Sequence, residues 1–135
     1  MHADHPLTHE ESLDLAVYLQ SLAPAPPLQP PPANDASDPS WLQGKTLFHS
    51  LKCAECHVPS VAFTTYKVLK VNMSDEHGHQ MFNPPSLRGV SQRSALFHDA
   101  RAESLEAAFR DHQHQLDQEL SPRDLTALVR YLRSL

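Results

Sequence analysis

Apolar residues recur at intervals of three and four in four segments of the chain, which is the spacing of helices that bury one face. Segments 7–22 and 40–51 open with T-x-x-E and S-x-x-Q patterns, which predict helix-capping boxes. A third stripe starts at Leu105 and includes His112, and a fourth helix is predicted to start with the Ser-Pro pair at Ser121. The pattern predicts a mainly helical protein.

Helix signals are missing from residues 58–85. The stretch "VAFTTYKVLKV", residues 61–71, is rich in β-branched and aromatic residues. We expect a long irregular loop here, with a short β-hairpin at most.

Prolines divide the chain into three parts. Residues 24–39 hold seven of the twelve prolines, so this segment favours an extended polyproline II conformation and serves as a semi-rigid spacer or as a strap over a surface. The resulting organisation is an N-terminal arm (1–23), a proline-rich linker (24–39) and a main body (40–135).

The arm and the C-terminus resemble each other. Residues 7–22 align without gaps to residues 120–135 with six identities. Two amphipathic helices can share leucines by chance. The alternative is that the arm is the closing helix of an upstream domain of the same type. We expect the apolar face of the arm to be covered by the body of its own chain or by a neighbouring chain, which would give a homo-oligomer.

The overall composition restricts the class of protein. A formal net charge of −5 and a sequence pI near 6.0 argue against a nucleic-acid partner. The chain has no run of 18 apolar residues, so the sequence predicts no membrane span. The chain has two cysteines, three positions apart, and they do not form a disulfide framework.

These cysteines belong to a C-x-x-C-H motif, Cys53, Cys56 and His57. A redox dithiol would need a thioredoxin-like βαβ pattern, which the helical setting does not supply. A zinc site would need two more ligands, and the closely spaced His77 and His79 do not easily reach one tetrahedral ion. Covalent attachment of haem c uses all three residues: the cysteines form thioethers and His57 binds the iron. We therefore expect one covalently bound haem c.

The sequence around the motif resembles a known family. "GKTLF" (44–48) looks like the first helix of c-type cytochromes. Residues 83–115 and 120–135 are similar to the C-terminal haem domain of bacterial di-haem cytochrome c peroxidases and MauG-type di-haem oxidoreductases. The shared marks are P-P-x-L-R-G, an L-x-H-D-G-R-A turn, an L-E-E-A helix and a closing L-x-x-[FY]-L-x-S-L helix.

The resemblance implies a class I cytochrome c-like haem domain, with the irregular loop lying between the haem motif and the P-P-x-L-R-G turn. It also implies a second haem domain or a redox protein as partner. Because haem c is attached outside the bacterial cytoplasm, the protein should be periplasmic or otherwise exported, with its signal peptide outside this chain. The sequence departs from the family pattern at two places. Ala100 replaces the glycine of the H-D-G turn. Residues 93–95 replace the usual small and proline residues, so the resemblance gives only weak support for the interdomain calcium site of the family.

The sixth iron ligand is predicted to be His112. The family places its distal ligand about fourteen residues after the histidine of the H-D-G turn, which is His98 here. An extended third helix would put His112 on the same apolar face as Leu105 and would turn His114 away from it. The alternatives are a core His112 bonded to a carbonyl group, and Met81 as the runner-up ligand.

Four further residues are expected at the cofactor. Arg88 would pair with a haem propionate, unless it forms an ordinary surface ion pair. Pro85 would carry a rigid backbone past the haem edge, while Phe48 and Phe109 would pack beside the ring.

A bis-histidine haem favours electron transfer, because a saturated iron leaves no position for substrate. The alternative is part of a peroxidase or oxidase with an open or Met-ligated haem. No catalytic residue is predicted, and an electron-transfer domain is favoured over a self-sufficient peroxidase. A zinc-binding interaction module is the third possibility.

Overall fold

The computed structural model describes residues 6–23 and 25–135. In this part of the chain the α-helices are α1 (His9–Ser21), α2 (Pro39–Ser50), α3 (Cys53–Cys56), α4 (Leu105–Arg110) and α5 (Pro122–Leu132). Short 3-10 turns cover Asp35–Ser37, Pro59–Val61 and Val90–Gln92. No helix among these residues is both long enough and apolar enough to cross a membrane.

The mainly helical class and the short hairpin are confirmed. Strands β1 (Leu69–Lys70) and β2 (Met81–Phe82) pair antiparallel, with Leu69 opposite Phe82. The rest of the segment between α3 and α4 is irregular, with turns and isolated bridges. This long loop therefore lies at one side of the fold and does not add a separate layer of strands or helices.

The core is centred on the packing of α2 against α5. Phe48 and Leu128 are fully buried there, and Tyr131 packs against the ring of Phe48 at 5.4 Å between centroids. Gly44 allows the close approach, because a Cβ atom at this position would lie 2.8 Å from the Cβ of Tyr131. The glycine is therefore a packing requirement of the helix pair.

The start of α2 differs from the predicted capping box. Pro39 occupies the first turn and Asp38 is the N-cap, where its carboxylate accepts the backbone N–H of Trp41 at 2.9 Å. Arg130 of α5 donates to the same carboxylate at 2.9 Å. The prediction of a box at Ser40 was wrong because an aspartate two residues earlier both caps α2 and ties it to α5.

The proline-rich linker lies as a strap on the end of α5. The backbone N–H of Gln29 donates to the carbonyl of Arg133 at 3.3 Å. The guanidinium of Arg130 donates to the carbonyls of Gln29 and Pro30 at 3.2 and 3.1 Å. Prolines cannot donate hydrogen bonds, so the strap is held mainly through its carbonyl groups.

Helix α1 has the predicted capping box, in which Thr8 and Glu11 exchange hydrogen bonds. No residue of α1 is buried, and Tyr18 and Leu19 are 60% and 56% exposed. Of the two covers expected for this helix, the body of the same chain does not supply one. Coverage by a neighbouring chain remains a prediction.

Candidate functional site

A cavity of about 580 Å³ lies beside the α2–α5 core. Its walls come from the start of the C-x-x-C-H segment, from the loop around the two prolines Pro84 and Pro85, and from α4 with the residues after it. Leu128 and Leu132 of α5 form part of the apolar lining. The cavity is large and mainly apolar, as expected of a cofactor site.

Both cysteines of the motif line this cavity. Lys52 adopts a left-handed conformation with φ 62°, which ends α2 and starts the short α3 that carries Cys53 and Cys56. Burial raises the pKa of the Cys53 thiol to about 11, and burial together with Glu55 raises the pKa of Cys56. The two free thiols are therefore protonated at neutral pH, which does not suit a nucleophilic dithiol.

His57 also lines the cavity. Its Nδ1 lies 3.2 Å from the carbonyl oxygen of Phe63, which can only accept a hydrogen bond. Nδ1 therefore carries the proton and Nε2 keeps its lone pair, which is how metal-binding histidines are commonly oriented. Burial lowers the pKa of His57, although bonds to the carbonyls of Phe63 and Pro85 partly offset this.

His114 is the second imidazole on the cavity wall. Its Nδ1 is buried and has no hydrogen-bond partner among the described residues. Burial, with a smaller contribution from the charge of nearby His57, lowers its pKa to about 4. A buried polar atom without a partner calls for an explanation, and a group bound in the cavity supplies one.

His112 lies away from the lining of the cavity. Its Nε2 donates to the carbonyl of Arg101 at 3.2 Å, and its ring meets Phe97 edge-on at 5.6 Å. Helix α4 ends at Arg110, so the predicted stripe that extended to His112 was wrong. The turn that follows, with Gln113 at φ 45°, brings His114 to the cavity.

The other predicted site residues divide into two groups. Phe48, Pro85 and Phe109 line the cavity. Arg88 is exposed and Met81 is 56% exposed, and both lie outside the lining. Residues of the same chemical types that do line it are Arg93, Arg101 and Met73.

The sequence held one signal for His114. "HQHQ" offers two histidines two positions apart, and the spacing from His98 in the resembled family and the assumed length of the helix both favoured the first. Arg93 and Arg101 gave no comparable signal, because arginines on irregular loops have no periodicity.

The residues present fit a haem c. Two protonated thiols lie three positions apart on one wall, next to a histidine whose Nδ1 faces a carbonyl oxygen. A second imidazole with an unpartnered nitrogen lines the same cavity. Apolar side chains supply most of the remaining wall, and arginines that can pair with carboxylates also line it. A zinc site formed by the cysteines with His77 and His79 does not fit, since neither histidine lines the cavity and both are exposed.

Comparison with known proteins agrees with this fit. No curated protein and no solved structure matched the chain. The model of the family described as di-haem cytochrome c peroxidase matches residues 44–134, a span that contains the C-x-x-C-H motif and every residue of the cavity lining. Such a match implies haem binding and a redox role. The chain therefore belongs to the di-haem cytochrome c peroxidase family.

Proposed function

We propose that the chain is an electron-transfer domain with one covalently bound haem c. Cys53 and Cys56 would form the thioethers, His57 would be the proximal ligand and His114 the distal ligand. The observation that carries the proposal is the buried Nδ1 of His114, which lies on the cavity wall without a partner among the described residues.

The protonation of the two imidazoles supports this assignment. Burial lowers the pKa of both His57 and His114, so both rings are neutral at pH 7 and can each offer a lone pair. The carbonyl of Phe63 fixes the tautomer of His57. When bound, the haem supplies a one-electron redox couple, and the surrounding apolar residues limit the access of water to it.

Two histidine ligands would favour a relay over catalysis, because they leave no position on the iron for a substrate. They also favour ferric iron more than a histidine–methionine pair does, so we expect a low reduction potential. The alternative function is part of a peroxidase or oxidase with an open or Met-ligated haem. Met73 lines the cavity, and the presence of its thioether there is the observation that favours a Met-ligated form.

Paired histidine variants test the ligand. His114→Ala should convert the ferric spectrum from low spin to high spin and allow rapid cyanide binding. His112→Ala should leave the low-spin spectrum in place, since that side chain bonds to the Arg101 carbonyl. A conversion seen in His112→Ala and absent from His114→Ala would return the ligand to the position predicted from the sequence. A conversion seen with Met73→Ala alone would instead favour the Met-ligated alternative.

Covalent attachment is tested by mass. After acid–acetone extraction, the intact protein should retain one haem, while the Cys53→Ala/Cys56→Ala double variant should have the mass of the bare polypeptide. A bare mass for the parent protein would reject the haem c assignment. Fractionation of the native host cells tests the accompanying proposal that the protein is periplasmic or otherwise exported.

We also infer that α1 is the closing helix of a second haem domain and packs on that domain. Three of its six identities with the end of the chain fall on residues that are buried in α5 and exposed in α1. The exposed fractions of these pairs are 47% for Leu15 against 0% for Leu128, 60% for Tyr18 against 5% for Tyr131, and 56% for Leu19 against 3% for Leu132.

The hydrogen bonds at the helix ends are repeated as well. Ser21 donates to the carbonyl of Tyr18 at 2.7 Å, and Ser134 donates to the carbonyl of Tyr131 at 2.6 Å. Ser134 is buried against α2, whereas Ser21 is exposed. The same local structure with opposite burial supports an interface on α1.

Sedimentation of the chain and of a Leu15→Glu/Leu19→Glu variant tests this surface. Binding of an apolar fluorescent dye should fall in the variant if the face is free for a separate haem domain. A dimer that the variant dissociates would show that a second copy covers the face. Equal dye binding and equal mass for both proteins would contradict the inference. Gln20→Ala is the control on the same helix.

A further inference from the structure

We propose that Asp75, Glu76 and His98 form a binding site for one Zn²⁺ ion at the edge of the cavity. The three residues come from two loops that are distant in sequence. One donor atom of each lies within 4.8 Å of the donor atoms of the other two. This site is separate from the C-x-x-C-H motif and does not depend on the proposed electron-transfer function.

The imidazole of His98 faces both carboxylates. Its Nε2 lies 3.7 Å from Oδ2 of Asp75 and 3.7 Å from Oε2 of Glu76. Ligands at 2.0–2.1 Å from a tetrahedral zinc ion are separated by about 3.4 Å, so small side-chain movements would complete the coordination. The ring of His98 stacks on Phe82 at 4.7 Å between centroids, which holds its orientation.

The carboxylate of Asp75 is held by its own loop. Its side chain is only 7% exposed. Oδ1 accepts the backbone N–H groups of His77 and His79 at 2.9 and 2.7 Å, and Oδ2 accepts Nδ1 of His79 at 2.8 Å. Gly78, with φ 78°, allows the tight turn that closes this network. Asp75 is therefore oriented before an ion arrives, and His79 acts as a positioning residue.

The local charge favours a dication. The hydrogen bond to Asp99 raises the pKa of the Arg101 guanidinium, and the charges of Glu76 and Asp75 are close enough to raise it further. The ion pair of Arg101 is nevertheless with Asp99, to which its Nε donates at 2.6 Å. This leaves the carboxylates of Asp75 and Glu76 facing a histidine that is neutral when it binds metal. One imidazole nitrogen with two carboxylates suits zinc, whereas Ca²⁺ and Mg²⁺ prefer sites built of oxygen alone.

The position of the site gives it a structural consequence. Ser74 and His98 both line the cavity. An ion held between their loops would fasten the segment after β1 to the segment before α4 at the wall of the cavity. Because such an ion binds the folded state only, it should raise the melting temperature.

Zinc titration of the intact haem-loaded protein tests the proposal. After treatment with a chelator and removal of the chelator, equilibrium dialysis against ZnCl₂ should show one saturable zinc per chain. His98→Ala and Glu76→Gln should each weaken this binding at least tenfold and abolish the zinc-dependent rise in melting temperature. His9→Ala, on α1, is the control for histidines elsewhere on the surface and should bind zinc as the parent does.

Several results would overturn the site. Zinc binding that is unchanged in both His98→Ala and Glu76→Gln would place the ion elsewhere. Calcium binding of equal strength that does not respond to His98→Ala would remove the role of the imidazole. Glu76 is exposed, so Glu76→Gln should fold normally and gives a clear result even if His98→Ala is unstable.

Discussion

The indole N–H of Trp41 donates a 2.7 Å hydrogen bond to the hydroxyl oxygen of Ser134, which joins the first turn of α2 to the end of the chain. Ser134 in turn donates to the carbonyl of Tyr131. Both side chains are buried, so this pair satisfies the polar atom of a tryptophan that otherwise packs in the core.

Ser134→Ala should lower the free energy of unfolding by about 1–3 kcal/mol, because it leaves a buried indole N–H without an acceptor. Urea unfolding followed by tryptophan fluorescence measures the loss. Ser50→Ala, at an exposed position at the end of α2, should change stability by no more than about 0.5 kcal/mol. Equal stabilities for the two variants would show that the indole hydrogen bond contributes nothing.

Gly44→Ala should destabilise the protein by about 1–3 kcal/mol or more, even though alanine favours helices over glycine. The new methyl group would overlap the backbone carbonyl of Ala127 and would force α2 away from α5. Calorimetric melting checks this prediction. Thr46→Ala, on an exposed position of the same helix, is the control, and a more stable Gly44→Ala would mean that the helices can separate without cost.

Ala100→Gly should leave stability unchanged or increase it. Ala100 has φ 59°, in the left-handed region where a Cβ atom costs roughly 1–2 kcal/mol and glycine does not. This gain offsets the greater flexibility of glycine in the unfolded chain. Ala107→Gly, inside α4, should instead destabilise by about 0.5–1 kcal/mol or more. Similar losses in both variants would contradict the argument from backbone conformation.

The stability of the protein should decrease in acid partly through Asp38. The hydrogen bond from the Trp41 N–H lowers the pKa of Asp38, and the charge of Arg130 adds to this against the opposing effect of burial. A carboxyl group whose pKa is lower in the folded protein stabilises the fold at pH values above its unfolded pKa, which is near 3.8. This contribution to the free energy of unfolding is lost as the pH falls through the folded pKa.

Asp38→Asn keeps an acceptor for the Trp41 N–H but removes the charge. It should be less stable than the parent at pH 7, and the difference should shrink as the pH falls below 3.8. Urea unfolding at pH 7, 4 and 3 measures this. Asp38→Ala should be less stable than Asp38→Asn at each pH, because it also removes the helix cap. A parent–Asn difference that does not change with pH would show that the charge of Asp38 is irrelevant.

The sequence by itself determined the local features of this protein. Apolar spacing predicted a mainly helical body, and the Thr8–Glu11 box and the Ser121–Pro122 pair set the starts of two helices correctly. The C-x-x-C-H motif identified the cysteines and the histidine that the cavity then brings together. These features depend on residues within one or two helical turns of each other, so periodicity and spacing are sufficient to find them.

Tertiary structure decided which distant residues meet. His114 lines the cavity and His112 does not, because α4 ends at Arg110 and the chain then turns. Helical geometry could not predict which of the two side chains this turn directs to the cavity. Asp75 and His98 likewise meet only because two irregular loops pack together. The energy that selects such arrangements comes from burial and from long-range hydrogen bonds, which have no period in the sequence.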